Sequence, residues 1–303
     1  MNLPLYEQLA IALTAGVLRG AVYALVALGI VLVFRGSGVF NFAQAEFGTT
    51  GLFAAYWALT VQGWSYPVSF AFGMAVAIAL GLLTERLVIH PLRDSSRVTL
   101  LVGTAGVALA AIGLQFWLFN ETLVMSMPKI HDGYFTTPWG AIVTMQELIT
   151  LGVLAGGAAL LALFFRSPSG LAIQAAQQER VASELVGISV RRVSMLTWGI
   201  AAALGGLAGI LAGPYLTFSA GFLSFGAVGS LLPGFMAAVL AGMRSMPGAV
   251  AGGLLVGAIE QLSSLEVFAE SIPGAGAMIL FVFLLVVLLV RPQGIFVGRA
   301  VTA

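Results

Sequence analysis

The chain has 303 residues, 60% of them hydrophobic and only 8% charged, with a net charge of +1 and a mean hydropathy of +1.05. A soluble domain of this size needs a far more charged surface, so the composition excludes one and describes a protein that crosses a membrane several times. With no cysteine there is no disulfide, thiol nucleophile or Cys-based metal site. For a membrane-embedded chain, lipid is the expected surroundings and no nucleic-acid partner is expected.

Nine apolar runs of about span length follow in chain order, at 8–34, 43–62, 66–88, 98–119, 143–165, 194–214, 226–243, 247–264 and 273–290. They predict an all-α polytopic bundle of eight to nine transmembrane helices, organised as one domain over residues 1–303. No Lys or Arg precedes Arg19, so the basic start of a signal peptide is missing and the first run is expected to stay as a span. The second and seventh runs begin in Gly-rich, polar-spotted sequence and are expected to be broken or re-entrant. They also resemble each other faintly: "VFNFAQAEFGTTGLFAAYWAL" and "FLSFGAVGSLLPGFMAAVLAG" each join an interrupted start to a small-residue span, the pattern of internal repeats in transporters.

Charge sets the orientation. With the N-terminus outside, the inner segments hold Arg35, Arg86, Arg93, Arg97, Arg166, Arg180, Arg191, Arg192, Arg244, Arg291 and Arg299, which is eleven of the 13 basic residues. Only Lys129 falls in an outer loop, beside Glu121, His131, Asp132, Glu266 and Glu270, so N-out and C-in is predicted. Four glycine pairs at i, i+4 spacing, Gly16/Gly20, Gly152/Gly156, Gly205/Gly209 and Gly253/Gly257, are expected to bring helices into close contact.

Polar groups inside the spans are the candidate path or gate. In "RGSGVFNFAQAEFG", Arg35 to Gly48, the side chains of Asn41, Gln44 and Glu46 lie at the start of a span, where irregular backbone survives only beside a cavity or inside protein. Asn41 also suits a helix N-cap, and Gly36, Gly38 and Gly48 permit bends. Arg19, inside the first span, has Glu46 and Glu260 as possible partners, or an anionic group of a solute, or the outer surface by snorkelling. His90 and His131 lie on opposite sides, so no metal site is expected.

The longest inner segment, about 166–193, predicts a short amphipathic helix from Leu171 to Val186 that stops at Gly187. Leu171, Ala175, Val181, Leu185 and Ile188 form its apolar stripe. It reads equally as an interfacial helix on membrane lipid or as a docking helix for a soluble partner. The only lysine, Lys129, is not in a Gly-Lys-Ser/Thr phosphate loop, so ATP cannot be held that way by this chain.

At "GVFNFAQAEFG" the sequence resembles the LivH/LivM permeases of branched-chain amino acid ABC importers, closest to the LivH type. The likeness continues through "ERLVIHPLR", "RVASELVGISVRRVSMLTWGIAAALGGLAGIL", "MPGAVAGGLLVGAIEQLSS" and "RPQGIF". It departs where the usual His-Gly is Gln44-Ala45, where Arg244 replaces a small residue, and where Val181-Ala182-Ser183 replaces Glu-Ala-Ala.

The resemblance implies a type II-like ABC importer permease of the bacterial inner membrane. It carries no cofactor and no enzymatic activity of its own, and is paired with a second, LivM-type permease, two ABC ATPase subunits and a periplasmic solute-binding protein. It also implies ATPase docking through Gln178, Glu179, Arg180, Ser183, Glu184, Gly187 and Arg191. The solute is a branched-chain amino acid or a related small amide, urea or aromatic acid. The competing reading is an ion-coupled secondary transporter acting alone, with Glu46 as its chief ion-binding candidate.

Overall fold

The computed structural model describes residues 3–119, 125–215, 217–225, 229–265 and 275–296, without the side chains of Gln177, Arg180, Val181 and residues 275–277. Glu121, Glu266, Glu270 and Arg299 therefore lie outside the described residues.

The bundle is built around α1 (Leu5–Ser37), 33 residues and about 50 Å long. From Gly20 to Val33 it is buried on every side, as expected of a helix apolar all round. The other helices are α2 (Gln44–Tyr56), α3 (Tyr66–Thr84), α4 (His90–Leu92), α5 (Arg97–Phe119), α6 (Met145–Phe164), α7 (Pro168–Gln178), α8 (Arg180–Leu185), α9 (Val190–Ala212), α10 (Phe222–Phe225), α11 (Leu231–Leu240), α12 (Met246–Ser263) and α13 (Ala275–Val290). π-helical turns continue α2 at Trp57–Val61 and join α3 to α4 at Glu85–Ile89. A two-stranded antiparallel hairpin, β1 (Tyr134–Thr136) with β2 (Ile142–Thr144), is added to the expected all-helical plan.

Five helical segments among the described residues are long and apolar enough to cross a membrane: Leu5–Ser37, Tyr66–Leu92, Arg97–Phe119, Met145–Phe164 and Val190–Ala212. Their lipid-ready faces show as exposed apolar side chains, such as Leu109 and Trp117 on α5 and Leu160 and Leu163 on α6. The seventh run is not a full span: α11 has ten residues, about 15 Å, half the depth of a bilayer core.

Glycine fixes the contacts at the centre. A Cβ on Gly20 would lie 2.7 Å from the Gly253 carbonyl oxygen, and one on Gly16 would lie 2.6 Å from Ala258 Cα, so α1 and α12 touch backbone to backbone. Gly205 and Gly209 seat α9 against Gln44 and Gly48 of α2 in the same way. The fourth pair departs from expectation. Among the described residues, Gly152 and Gly156 have no atom within 4 Å of an added Cβ, because α6 meets the bundle through the opposite face, where Gln146, Thr150, Leu154 and Leu161 are buried.

Candidate functional site

The stretch between α1 and α2 folds into a buried polar clamp. The first helix ends where Gly38 takes φ +67° and returns its N–H to the Phe34 carbonyl at 2.8 Å. Asn41 Oδ1 then accepts the Ala43 N–H at 3.1 Å, and its amide donates to Gln44 Oε1 at 3.1 Å. Gln44 Nε2 donates across to the Ala201 carbonyl of α9 at 2.8 Å. Asn41 is thus two residues short of the N-cap, which is Ala43, because its side chain closes the preceding turn. Nor does Gly48 bend the chain: it lies inside α2 and is needed for the approach of the Gly205 carbonyl. Gly36 lies within α1, 3.0 Å from the Thr197 methyl by its would-be Cβ.

Glu46 is fully buried and bound at both carboxylate oxygens. Gln115 Nε2 of α5 donates to one at 2.9 Å, and the Ser224 hydroxyl of α10 donates to the other. Gln115 Oε1 accepts the Gly221 N–H at 2.9 Å, and Thr49 Oγ1 accepts the Leu223 N–H at 3.2 Å. The two interrupted segments flagged by their resemblance therefore meet, and Glu46 is where they are tied. Arg19 is not part of this tie. It is half-buried and makes no ion pair with Glu46 or Glu260; the latter accepts the Tyr23 hydroxyl at 2.5 Å.

Removing the carboxylate takes the acceptor from the half-buried Ser224 hydroxyl and from one N–H of the buried Gln115 amide, whose nitrogen keeps its bond to Thr50 Oγ1 at 3.0 Å; a buried group left without its partner costs about 1–3 kcal/mol. Glu46→Ala is therefore expected to lower the thermal unfolding midpoint of the purified protein clearly more than Glu46→Gln, which keeps an acceptor. Equal midpoints in a detergent thermal-shift series would remove the clamp from the account.

The docking segment differs from the single helix read from its sequence. Ser167 caps α7 by accepting the Gly170 N–H at 3.3 Å, and Gln174 Nε2 donates to the Phe165 carbonyl at 2.9 Å. Glu179 turns extended, with φ −147° and ψ 105°, and separates α7 from α8. The Ser183 hydroxyl donates to the Glu179 carbonyl at 2.8 Å. The buried side chains are Ile173 and Ser183, whereas Leu171 and Leu185 of the predicted stripe are exposed, Leu185 and the adjacent Val186 at 84% and 76%. Gly187, at φ +85°, turns the chain after them. Gln178, Glu179, Glu184 and Arg191 are exposed on the same segment, and the side chain of Arg180 lies outside the described residues.

At this end of the bundle a cavity of about 1140 Å³ opens between the end of α1, the α3–α5 connection, α7 to α9 and Arg244. It brings together arginines that the sequence placed in separate inner segments. Asn41, Gln44 and Glu46 do not line it. The sequence reading missed Gln115, Ser224 and Glu85. Gln115 carried a signal, as a polar residue deep in an apolar run, whereas Ser224 is distinguished only by its fold neighbours.

Membrane-length helices, two interrupted polar segments joined inside the bundle and a projecting apolar apex at one end define the membrane domain of a transporter. Residues 12–290 match the family described as the branched-chain amino acid transport system permease component, and the chain belongs to that family. It is 31% identical over 310 residues to the high-affinity branched-chain amino acid permease LivH of Escherichia coli K12, covering 94% of each chain. It is also 31% identical over 317 residues to BraD of Pseudomonas aeruginosa, covering 95% of each, and 26% identical to a probable LivH of Methanocaldococcus jannaschii. Among solved structures, a chain of PsaBC from Streptococcus pneumoniae in complex with Fab has a similar fold, with a TM-score of 0.52, 15% identity and 92% of each chain covered.

Proposed function

We propose that this chain is the transmembrane subunit of an ATP-driven importer of branched-chain amino acids, working by alternating access in the bacterial inner membrane. The arginine-rich end faces the cytosol, with the N-terminus outside and the C-terminus inside. Two ABC ATPases grip the segment 166–193, a second LivM-type permease completes the pathway, and a periplasmic binding protein delivers solute to the other end. The observation that carries this reading is the exposed Leu185–Val186 apex on a chain whose family is a transport permease. The apex has the chemistry of a plug for a hydrophobic groove, because two adjacent apolar side chains gain most by being covered.

The absence of a lysine outside position 129 supports placing ATP hydrolysis on separate chains. In the resting arrangement the clamp at Glu46 keeps the two interrupted segments together. Movement of the docking segment reaches it through α9, which carries Ala201 and Gly205. Reconstitution tests the whole reading. Leucine uptake into proteoliposomes is expected only with both ATPases, the second permease, the binding protein and ATP. Full-rate entry into vesicles holding this chain alone under an ion gradient would overturn it.

A further inference from the structure

Glu85 is a buried charged group that the transport reading leaves unused. It opens the π-helical turn Glu85–Ile89, is 1% exposed and lines the cavity at the arginine-rich end. Its Oε2 accepts no hydrogen bond, and the residue makes no ion pair among the described residues. π-turns recur at functional sites, and a buried carboxylate without a donor costs several kcal/mol. The cavity is also lined by Arg35, Arg93, Arg97, Arg191 and Arg244, yet none of these satisfies Glu85.

Two of the five are engaged elsewhere. The Arg35 guanidinium sits 5.3 Å from the centroid of the Phe165 ring, and Arg93 Nε lies 3.3 Å from Asp94. A simple anion would suit the remaining arginines but would be repelled by Glu85, and a simple cation would meet the reverse problem. One ligand class satisfies both signs.

The geometry points to this cavity as a binding site for a small zwitterion, its ammonium on Glu85 and its acid group on the arginines. Ile89, Leu100 and Trp198 supply an apolar wall for an aliphatic body. The inference rests on the proposed import of amino acids, and it names a site where the released solute acts back on the transporter. Because α7, α8 and α9 line the cavity together with the end of α1, a ligand there bridges the docking segment to the bundle and opposes its movement. Uptake then slows as the amino acid accumulates inside. The ethanolamine headgroup of a phospholipid has the same ammonium-plus-acid chemistry.

Equilibrium binding of radiolabelled L-leucine to the complete transporter in nanodiscs without ethanolamine lipid, binding protein omitted, tests the site. The expected result is saturable binding that falls about tenfold or more with Glu85→Gln, as for a lost charge-assisted hydrogen bond. In the unmodified complex, other α-amino acids should compete, whereas N-acetyl-leucine and isopentylamine, each lacking one charge, should not. Equal binding by the Glu85→Gln complex, or competition by N-acetyl-leucine, overturns the proposal. Loss of leucine binding on adding phosphatidylethanolamine assigns the cavity to the headgroup instead and overturns the regulatory role. ATP-driven leucine uptake, measured on the same purified complexes after reconstitution into proteoliposomes with the binding protein, separates the two levels. Uptake without Glu85-dependent binding removes this site alone, and no uptake removes the transport reading with it.

Discussion

Gly253→Leu is expected to abolish recovery of a folded chain. A Cβ at that position would lie 2.5 Å from the backbone N and Cα of Ala24, where ordinary contact needs 3.4 Å or more. The opposing atoms are main chain, so no rotamer change relieves the overlap, and α1 has to move away from α12. Gly16, Gly20 and Gly257 lie on the same seam, and α1 is buried on every side from Gly20 to Val33. Shifting it loosens contacts along its buried length. Overpacking a core costs about 1–3 kcal/mol where side chains can adjust, and backbone contact exceeds that range, a large part of a total stability of about 5–15 kcal/mol. Size-exclusion profiles of a fluorescent fusion should lose the monodisperse peak. Gly156→Leu, at a position with open space around it, should keep that peak. A normal profile for Gly253→Leu would mean that the seam does not hold the fold.

The second large effect belongs to the apex of the docking segment. Leu185→Asp combined with Val186→Asp is expected to leave the chain folded, because both side chains are exposed, and to cut ATP-driven uptake by at least about tenfold. Covering each apolar side chain in a partner groove contributes on the order of 1.5–3 kcal/mol, and a buried carboxylate in its place adds a desolvation penalty. Gly187→Val acts on the same contact through the backbone. At φ +85° a β-branched residue is strained by about 1–3 kcal/mol, so the apex is displaced without a change in its side chains. Affinity capture of the ATPases and uptake in proteoliposomes should fall together. Normal capture and uptake in the double variant would move the docking contact elsewhere.

These variants divide along the line between what was legible in the sequence and what was not. Hydrophobic runs and arginine placement were legible because bilayer thickness and surface charge act on each segment locally. The i, i+4 glycine spacing was equally visible, but it marks capacity for contact rather than a partner. Gly16 and Gly20 found Gly253 and Gly257, while Gly152 and Gly156 found no partner among the described residues. The docking segment shows the opposite failure. An apolar stripe was read from Leu171 to Ile188 on the premise of one continuous helix, and the extended Glu179 breaks that premise. Ile173 is consequently the buried anchor and Leu185 the exposed tip.

By itself, the sequence determined that this is a helical membrane protein with its positive charge gathered into particular loops. It also marked Asn41, Gln44 and Glu46 as too polar for their surroundings, since transfer energies belong to single residues. Only the tertiary structure decided their partners: Gln115 and Ser224 stand 69 and 178 residues from Glu46. The same holds for the cavity that sets Glu85 among arginines from distant segments. A hydrogen bond or charge pair depends on positions a few ångströms apart, and the packing of helices distant in the chain fixes those positions.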